Sequence, residues 1–176
     1  MAIEYSRAHT KEELEEILVL QKLNLPDSLT EKEIIKEGFV TISHTFELLE
    51  RMNAVCPHII AKDSGRVIGY ALCMHPSFSK EIPILYSMFE KIWEVLPEEK
   101  SFMVLGQICI DNAYRGKGIF RGLYKTMKKS LGVSFKKIVT EVDGRNKRSL
   151  NAHLAIGFTT IKKYQSDGRD WYLIAL

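Results

Sequence analysis

The sequence predicts a mixed α/β domain: a central, twisted, mostly antiparallel sheet of about seven strands with one parallel crossover pair, flanked by helices. Three observations carry that expectation. Residues 58–74 hold two β-rich runs separated by Asp63-Ser64-Gly65-Arg66, which reads as a hairpin. An apolar run at 102–111 passes through a glycine-rich turn into an amphipathic helical pattern ending near Leu131, then into a β-rich run at 137–142. Strands joined through a helix run parallel, so this is the crossover. Two last β-rich runs, 158–164 and 171–176, bracket Gln165-Ser166-Asp167-Gly168-Arg169 and end the sheet in a second hairpin.

Taken in order, residues 2–8 read as a short first strand. Thr10, with Glu13 three residues later, is a capping-box pattern that opens a helix whose inner face is Leu14, Ile17, Leu18 and Gln21 or Leu25. The stretch 25–30 carries Pro26 and breaks that helix, and 31–36 and 43–52 read as two further helical pieces. Residues 82–96 place Leu85, Tyr86, Phe89, Ile92, Trp93 and Leu96 on one apolar helical stripe. After the glycine turn, Phe120, Leu123, Tyr124, Met127 and Leu131 face inward, with Lys117, Arg121, Lys125 and Lys128 opposite. Asn146 to Ala155 forms the last helix, stopped at Gly157.

A chain of 176 residues with 45% apolar content fits one domain over 1–176. The N-terminus lacks a basic segment followed by an apolar core, and no run approaches the roughly 18 apolar residues of a membrane span. A soluble protein with no membrane partner is expected. Cys56, Cys73 and Cys109 are odd in number and read as buried, reduced thiols, which fits a cytoplasmic location. Cys56-Pro57-His58 offers two ligands without spaced partners, so no metal is expected.

The net charge of +3 is unevenly spread: residues 115–148 hold eleven Lys or Arg against two acids. No nucleic-acid motif or stacking-aromatic pattern accompanies this patch, which favours an anionic small molecule over nucleic acid. Residues 103–122 say where the anion sits. A strand there runs through glycines directly into a helix, whose first N–H groups lack intrahelical partners and carry the positive end of the macrodipole. Gly116 and Gly118 let that backbone approach a ligand closely, and Arg115 and Lys117 add charge that favours a nucleotide pyrophosphate over a lone carboxylate.

The run Arg115-Gly116-Lys117-Gly118-Ile119-Phe120 resembles the Arg/Gln-x-x-Gly-x-Gly/Ala signature of the GNAT superfamily of N-acyltransferases, which bind acyl-coenzyme A there. Residues 146–158, from Asn146 through Ser149 and His153 to Gly157-Phe158, resemble the family's later helix, usually Asn, a small residue, Tyr, then Leu-Gly-Phe. The two motifs cover 103–158, and the order of the elements extends the likeness to most of the chain. Two positions depart from the pattern. Phe120 stands where Gly or Ala is usual, and His153 stands where the family often places a tyrosine that protonates the departing thiolate.

The resemblance implies a GNAT-like domain that transfers an acetyl group from acetyl-CoA to a primary amine by direct attack on the thioester. It implies cofactor contacts from Ile108, Cys109 and Ile110 on the strand, from Arg115, Gly116, Lys117, Gly118, Ile119, Phe120 and Arg121 around the turn, and from Asn146, Ser149 and His153. The Ile110 N–H becomes the oxyanion contact. His153, whose ordinary pKa near 6.5 lets it hold or release a proton, becomes the general acid, with Tyr164 or Tyr172 next in line. No base is evident, because Val104 and Gly106 are apolar; a water chain is expected, and Glu81, His75 and Asp111 are equally explained as surface or turn residues. The helix at 82–96, within an insertion spanning 81–97, reads as added core, as a lid or as a dimer contact, and a homodimer stays open. The acceptor pocket falls to 20–56, 75–100 and 165–169.

Two other readings remain beside this one. Gly116, Gly118 and Gly122, followed by acidic Glu141, approach the dinucleotide-binding spacing of an oxidoreductase, but the motif is one residue too long and an antiparallel hairpin precedes it. A non-catalytic acyl-CoA-binding module on the same fold is the other. Cys109, alternating with Ile108 and Ile110, reads as packing before nucleophile.

Overall fold

The computed structural model describes residues 3–99, 101–132 and 134–176; residue 2 of the expected first strand lies outside them. The elements are β1 (Glu4–Arg7), α1 (Lys11–Lys22), α2 (Glu31–Glu37), α3 (Phe46–Val55), β2 (Ile59–Asp63), β3 (Arg66–Met74), α4 (Tyr86–Val95), β4 (Phe102–Ile110), α5 (Ile119–Leu131), β5 (Lys137–Asp143), α6 (Lys147–Leu154), β6 (Thr159–Ser166) and β7 (Arg169–Ala175). All seven strands form one sheet in the order β1-β2-β3-β4-β5-β7-β6. Every neighbouring pair is antiparallel except β4 and β5, which the α5 crossover joins in parallel.

Helices cover both faces. On one, α1 and α3 pack Leu14, Ile17, Leu20 and Leu49 against Ile60, Tyr70 and Leu72, while α4 continues that layer over Val104, Val139 and Leu173. On the other, α5 sets Ile119, Leu123, Tyr124 and Met127 against Ile59, Ala71, Met103 and Leu105, beside Phe158. Gly122 lets α5 lie close to β1, since a Cβ there would sit 2.3 Å from the Tyr5 ring. That role is packing, not the third glycine of a dinucleotide loop.

Thr10 and Glu13 form the expected capping box. Two helices start later than the sequence suggests, for local reasons. Helix α3 begins at Phe46 because Thr45 is its cap, accepting the Leu48 N–H, and this leaves 43–44 in an extended segment. The expected helix at 82–96 is split: short 3-10 turns at Pro76–Lys80 and Pro83–Leu85 precede α4, each opened by a proline that has no N–H to give a continuous ladder. Of its apolar stripe, Leu85, Phe89 and Ile92 are buried, whereas Tyr86 (51% exposed) and Trp93 (43%) face solvent. The buried face packs with Met74, Val104 and Leu173 in the core.

The fully buried His58 repairs a break in the sheet. The β3–β4 register slips between Leu72 and Cys73, and His58 Nδ1 accepts the Cys73 N–H at 3.2 Å. Its Nε2–H donates to Leu49 O at 3.2 Å, and burial pushes its pKa down to about 3. The sheet's other irregularity positions the site. Strands β4 and β5 pair only from Phe102↔Lys137 to Val104↔Val139. Beyond that, Thr140 Oγ1 donates to Leu105 O and the strands diverge into a wedge.

Candidate active site

Antiparallel pairing fixes which backbone groups face the wedge. Asp111 N–H donates to Ile68 O, so in the register Gly69↔Ile110, Tyr70↔Cys109, Ala71↔Ile108 the groups of Cys109 point to β3 and those of Ile108 and Ile110 point away from it. Ile108 and Ile110 therefore present their amides on the open edge of β4, where the Ile110 carbonyl accepts Arg115 Nε at 3.0 Å. The Cys109 thiol is buried and pushed up to about 12 by that burial, which makes it packing and a poor nucleophile.

The chain leaves this edge through a 3-10 turn, Asn112–Tyr114, and enters α5 at Gly118. Helices α1, α2, α3 and α6 all start at a Thr or Asn whose side chain takes a backbone N–H; α5 starts at a bare glycine with no side-chain cap. Gly116 and Gly118 have φ of 74° and 80°, the left-handed region that glycine enters without strain. The amides of the first turn of α5 are thus left for an anion.

Edge and helix start border a cavity of about 290 Å³. Its wall includes Ile108, Cys109, Ile110, Arg115, Gly116, Gly118, Ile119, Phe120, Asn146 and Ser149, which gathers most of the residues expected to hold a nucleotide-bearing ligand. Lys117 and Arg121 are exposed and are not part of that wall; the Lys117 ammonium lies over the Tyr114 ring, 5.1 Å from its centre. Arg115 reaches across to Asn24 Oδ1 at 2.6 Å.

The segment 38–45 straps the wedge from above. Asn146 Nδ2 donates to Phe39 O, Val40 N–H to Asn24 O, and Gln107 Nε2 to Ile42 O. His44 N–H donates to Gln21 Oε1, and Gln21 Nε2 donates in turn to Gln107 Oε1 and His44 Nδ1, with Tyr70 OH also on Gln107 Oε1. This buried network makes Gln21 an anchor of the strap. Gly38, with φ of 75°, fits where a Cβ would lie 2.8 Å from Asn146 Oδ1.

Behind the strap a second, smaller cavity meets the first. Phe39, Gln107, Glu141, Asp143, His153 and Trp171 line it together with backbone from both diverging strands. Among the described residues, 75–99 and 165–169 do not border this second cavity; α4 packs on the core further along the sheet. Glu141 is the residue that sequence reasoning missed as a site group. Burial raises its pKa to about 7, only partly offset by the hydrogen bond that it accepts from Tyr164 OH. Asp143 is held as a carboxylate, against the cost of burial, by Arg145, whose guanidinium lies 2.6 Å away.

With this geometry in view, comparison with known proteins is decisive. The acetyltransferase (GNAT) family matches residues 27–158. The chain belongs to that family. The ribosomal-protein-S18-alanine N-acetyltransferase of Escherichia coli is similar in structure, with a TM-score of 0.65 at 13% identity over 99% of this chain and 93% of that one. YncA of Salmonella typhimurium, solved with its cofactor acetyl-CoA, gives 0.67 at 15% identity over 100% and 94%. A chain of the NatC complex bound to Gag peptide and CoA gives 0.67 at 19% identity over 100% and 98%. No curated protein matches.

The two departures from the GNAT pattern turn out to touch. Phe120 meets the His153 ring edge-on, centroids 5.0 Å apart, and Tyr124 and Phe158 complete an aromatic cage around the imidazole. His153 is 2% exposed, and burial lowers its pKa to about 4. Its Nδ1 lies 2.7 Å from Ser149 O, a group that only accepts, so Nδ1 carries the proton and Nε2, which has no partner among the described residues, carries none. That geometry does not support His153 as the proton donor of a GNAT reaction. Asn146 serves as the α6 cap through Oδ1 and as a strap anchor through Nδ2. Among the described residues no cluster of three or more His, Cys, Asp or Glu forms a metal site, and no helix is long and apolar enough to cross a membrane.

Proposed function

We propose that this GNAT protein transfers the acetyl group of acetyl-CoA to a primary amine, with Glu141 as the base. The observation that carries the reading is the meeting of two cavities at the β4–β5 wedge. One is bordered by an uncapped helix start and a free strand edge, and the other holds a carboxyl that ionises near neutrality. The amides at the start of α5 suit the diphosphate, and the β4 edge suits the extended amide-bearing arm that follows it.

The acceptor amine enters through the second cavity, which Phe39 and Trp171 help to line. Glu141 takes a proton from the acceptor ammonium, and the neutral nitrogen forms a bond to the thioester carbon. Of the two amides that β4 presents away from β3, the Ile108 N–H borders both cavities and meets the charge that develops on the carbonyl oxygen, while the Ile110 N–H, which borders only the first, serves the amide-bearing arm. As the carbon–sulfur bond breaks, its electron pair stays on sulfur, and the attacking nitrogen gives up its second proton to water, which leaves a neutral amide and the thiolate of coenzyme A.

The test is a coenzyme A titration followed by acetyl-CoA-dependent thiol release over a panel of primary amines. Micromolar binding together with turnover on at least one class of amine is expected. Binding without turnover on any of them would leave only a ligand-binding module and reject the catalytic reading; stabilisation by NAD but not by coenzyme A would reject the ligand itself.

A further inference from the structure

Five residues line both cavities: Phe39, Val40, Ile108, Asn146 and Ser149. On the reading above, the thioester lies at this junction, since the amine reaches it from one side and the coenzyme A chain from the other. Sulfur departs as an anion, and a hydrogen-bond donor placed there stabilises the transition state more than the ground state. Phe39, Val40 and Ile108 carry no polar side chain, and Asn146 is committed to the helix cap and the strap.

Ser149 remains, and its surroundings leave its hydrogen free. Among the described residues, the one hydrogen-bond contact of Ser149 Oγ is with His153 Nδ1, at 3.4 Å. That nitrogen is itself a donor, because its proton goes to Ser149 O at 2.7 Å, so towards Ser149 Oγ it can only donate. Among the described residues the serine hydrogen has no acceptor, and the half-buried side chain opens on the junction. The His153 ring, wedged by Phe120, Tyr124 and Phe158, cannot swing away from this post.

We propose that Ser149 is a catalytic hydrogen-bond donor to the departing sulfur and that His153, through the forked contact of its Nδ1–H, is its positioning residue. The hydroxyl keeps its proton. It stabilises the thiolate left when the carbon–sulfur bond breaks, while the proton taken from the amine stays on Glu141 until solvent returns it to sulfur. The inference rests on acetyl-CoA occupying the wedge.

The experiment compares the protein with Ser149→Ala, Ser149→Thr and His153→Phe, and reads the thiol pKa of bound coenzyme A from its ultraviolet thiolate absorbance. Ser149→Ala should raise that pKa by about one unit relative to the unaltered protein, since a donor to the charged form is lost. It should lower kcat about 10²-fold at unchanged KM for acetyl-CoA. Ser149→Thr, which keeps a hydroxyl, should recover most of both effects, and His153→Phe, which keeps the packing, should show a smaller loss of the same kind. An unshifted thiol pKa in Ser149→Ala would overturn the assignment. Failure of the unaltered protein to bind coenzyme A would overturn the underlying reading first and this one with it.

Discussion

The two cavities that meet at the wedge are built differently, and the difference governs how each can be recognised and broken. The cavity along β4 and the start of α5 is marked by backbone features: amides on a free strand edge, amides of an uncapped helix turn, and two glycines at positive φ. The cavity behind the strap is marked by side chains: the half-buried Glu141 carboxyl, Phe39 and Trp171 on its wall, and a strap tied down by the Gln21–His44–Gln107 network. Backbone recognition demands glycine at fixed places, and so leaves a mark in the sequence. Side-chain recognition is assembled from positions far apart in the chain and leaves none.

If the division is sound, the largest effect comes from the side-chain cavity and spares the other. Glu141→Gln removes the base and should lower kcat/KM about 10²- to 10⁴-fold while coenzyme A affinity stays the same. The pH profile sharpens the point. A base that ionises at about 7 must be deprotonated to act, so activity should rise through that pH in the unaltered protein and lose this limb in Glu141→Gln. A profile unchanged by the substitution would remove Glu141 from the reaction.

Acid should break the strap side next. The folded pKa values of His44 and His153 are lowered to about 4 and that of His58 to about 3, in each case chiefly by burial. An unfolded histidine titrates near 6.5, so between 6.5 and 4 the unfolded chain binds more protons and stability falls as pH falls. Going from pH 7 to 5 costs on the order of 2 kcal/mol for each of the three. Glu141, whose folded pKa is raised, gains stability over the same window and offsets about one of them. A urea midpoint that did not fall between pH 7 and 5 would mean that these rings are charged in the folded state. The buried His44 ties down the strap through its N–H, so hydrogen exchange at 38–45 should rise before that of the sheet.

The backbone cavity is tested at Gly118. No atom lies within 4 Å of a Cβ built there, so Gly118→Val meets no protein clash. Its cost is a left-handed φ of 80°, about 1–2 kcal/mol, and a branched side chain placed where the anion must approach. Coenzyme A affinity should fall about 10²-fold, as read by calorimetry, with kcat at saturation much less affected. The reverse split between affinity and kcat would exchange the roles of the two cavities.

The same division explains what could be read from the residues beforehand. The two hairpins, the parallel crossover, the capping box at Thr10 and the glycine entry into α5 were all legible, because each follows from local pattern or from a backbone requirement. Glu141 was visible as an acid but not as a base: its pKa is raised by burial in the folded wedge, an effect that the hydrogen bond from Tyr164 on β6 only partly offsets. His153 sat at the right motif position with the wrong neighbours. Only folding reveals that Phe120, four residues before Tyr124 on α5, closes over its ring.

The smallest expected effect is the sharpest test of how far charge near a phosphate site matters. Lys117 lies inside the glycine motif, and reading the motif as charge would make it a principal contact. It is exposed, stands over Tyr114, and is absent from the cavity wall that its glycine neighbours form. An exposed ammonium beside a bound anion is screened at physiological salt, where the Debye length is about 8 Å, and contributes well under about 1 kcal/mol. Lys117→Ala should therefore weaken coenzyme A binding no more than about threefold at physiological salt, and by more at low salt. A loss near that of Gly118→Val would mean that the side chain folds into the site when the ligand binds, and that the backbone cavity depends on a cation as much as on its amides.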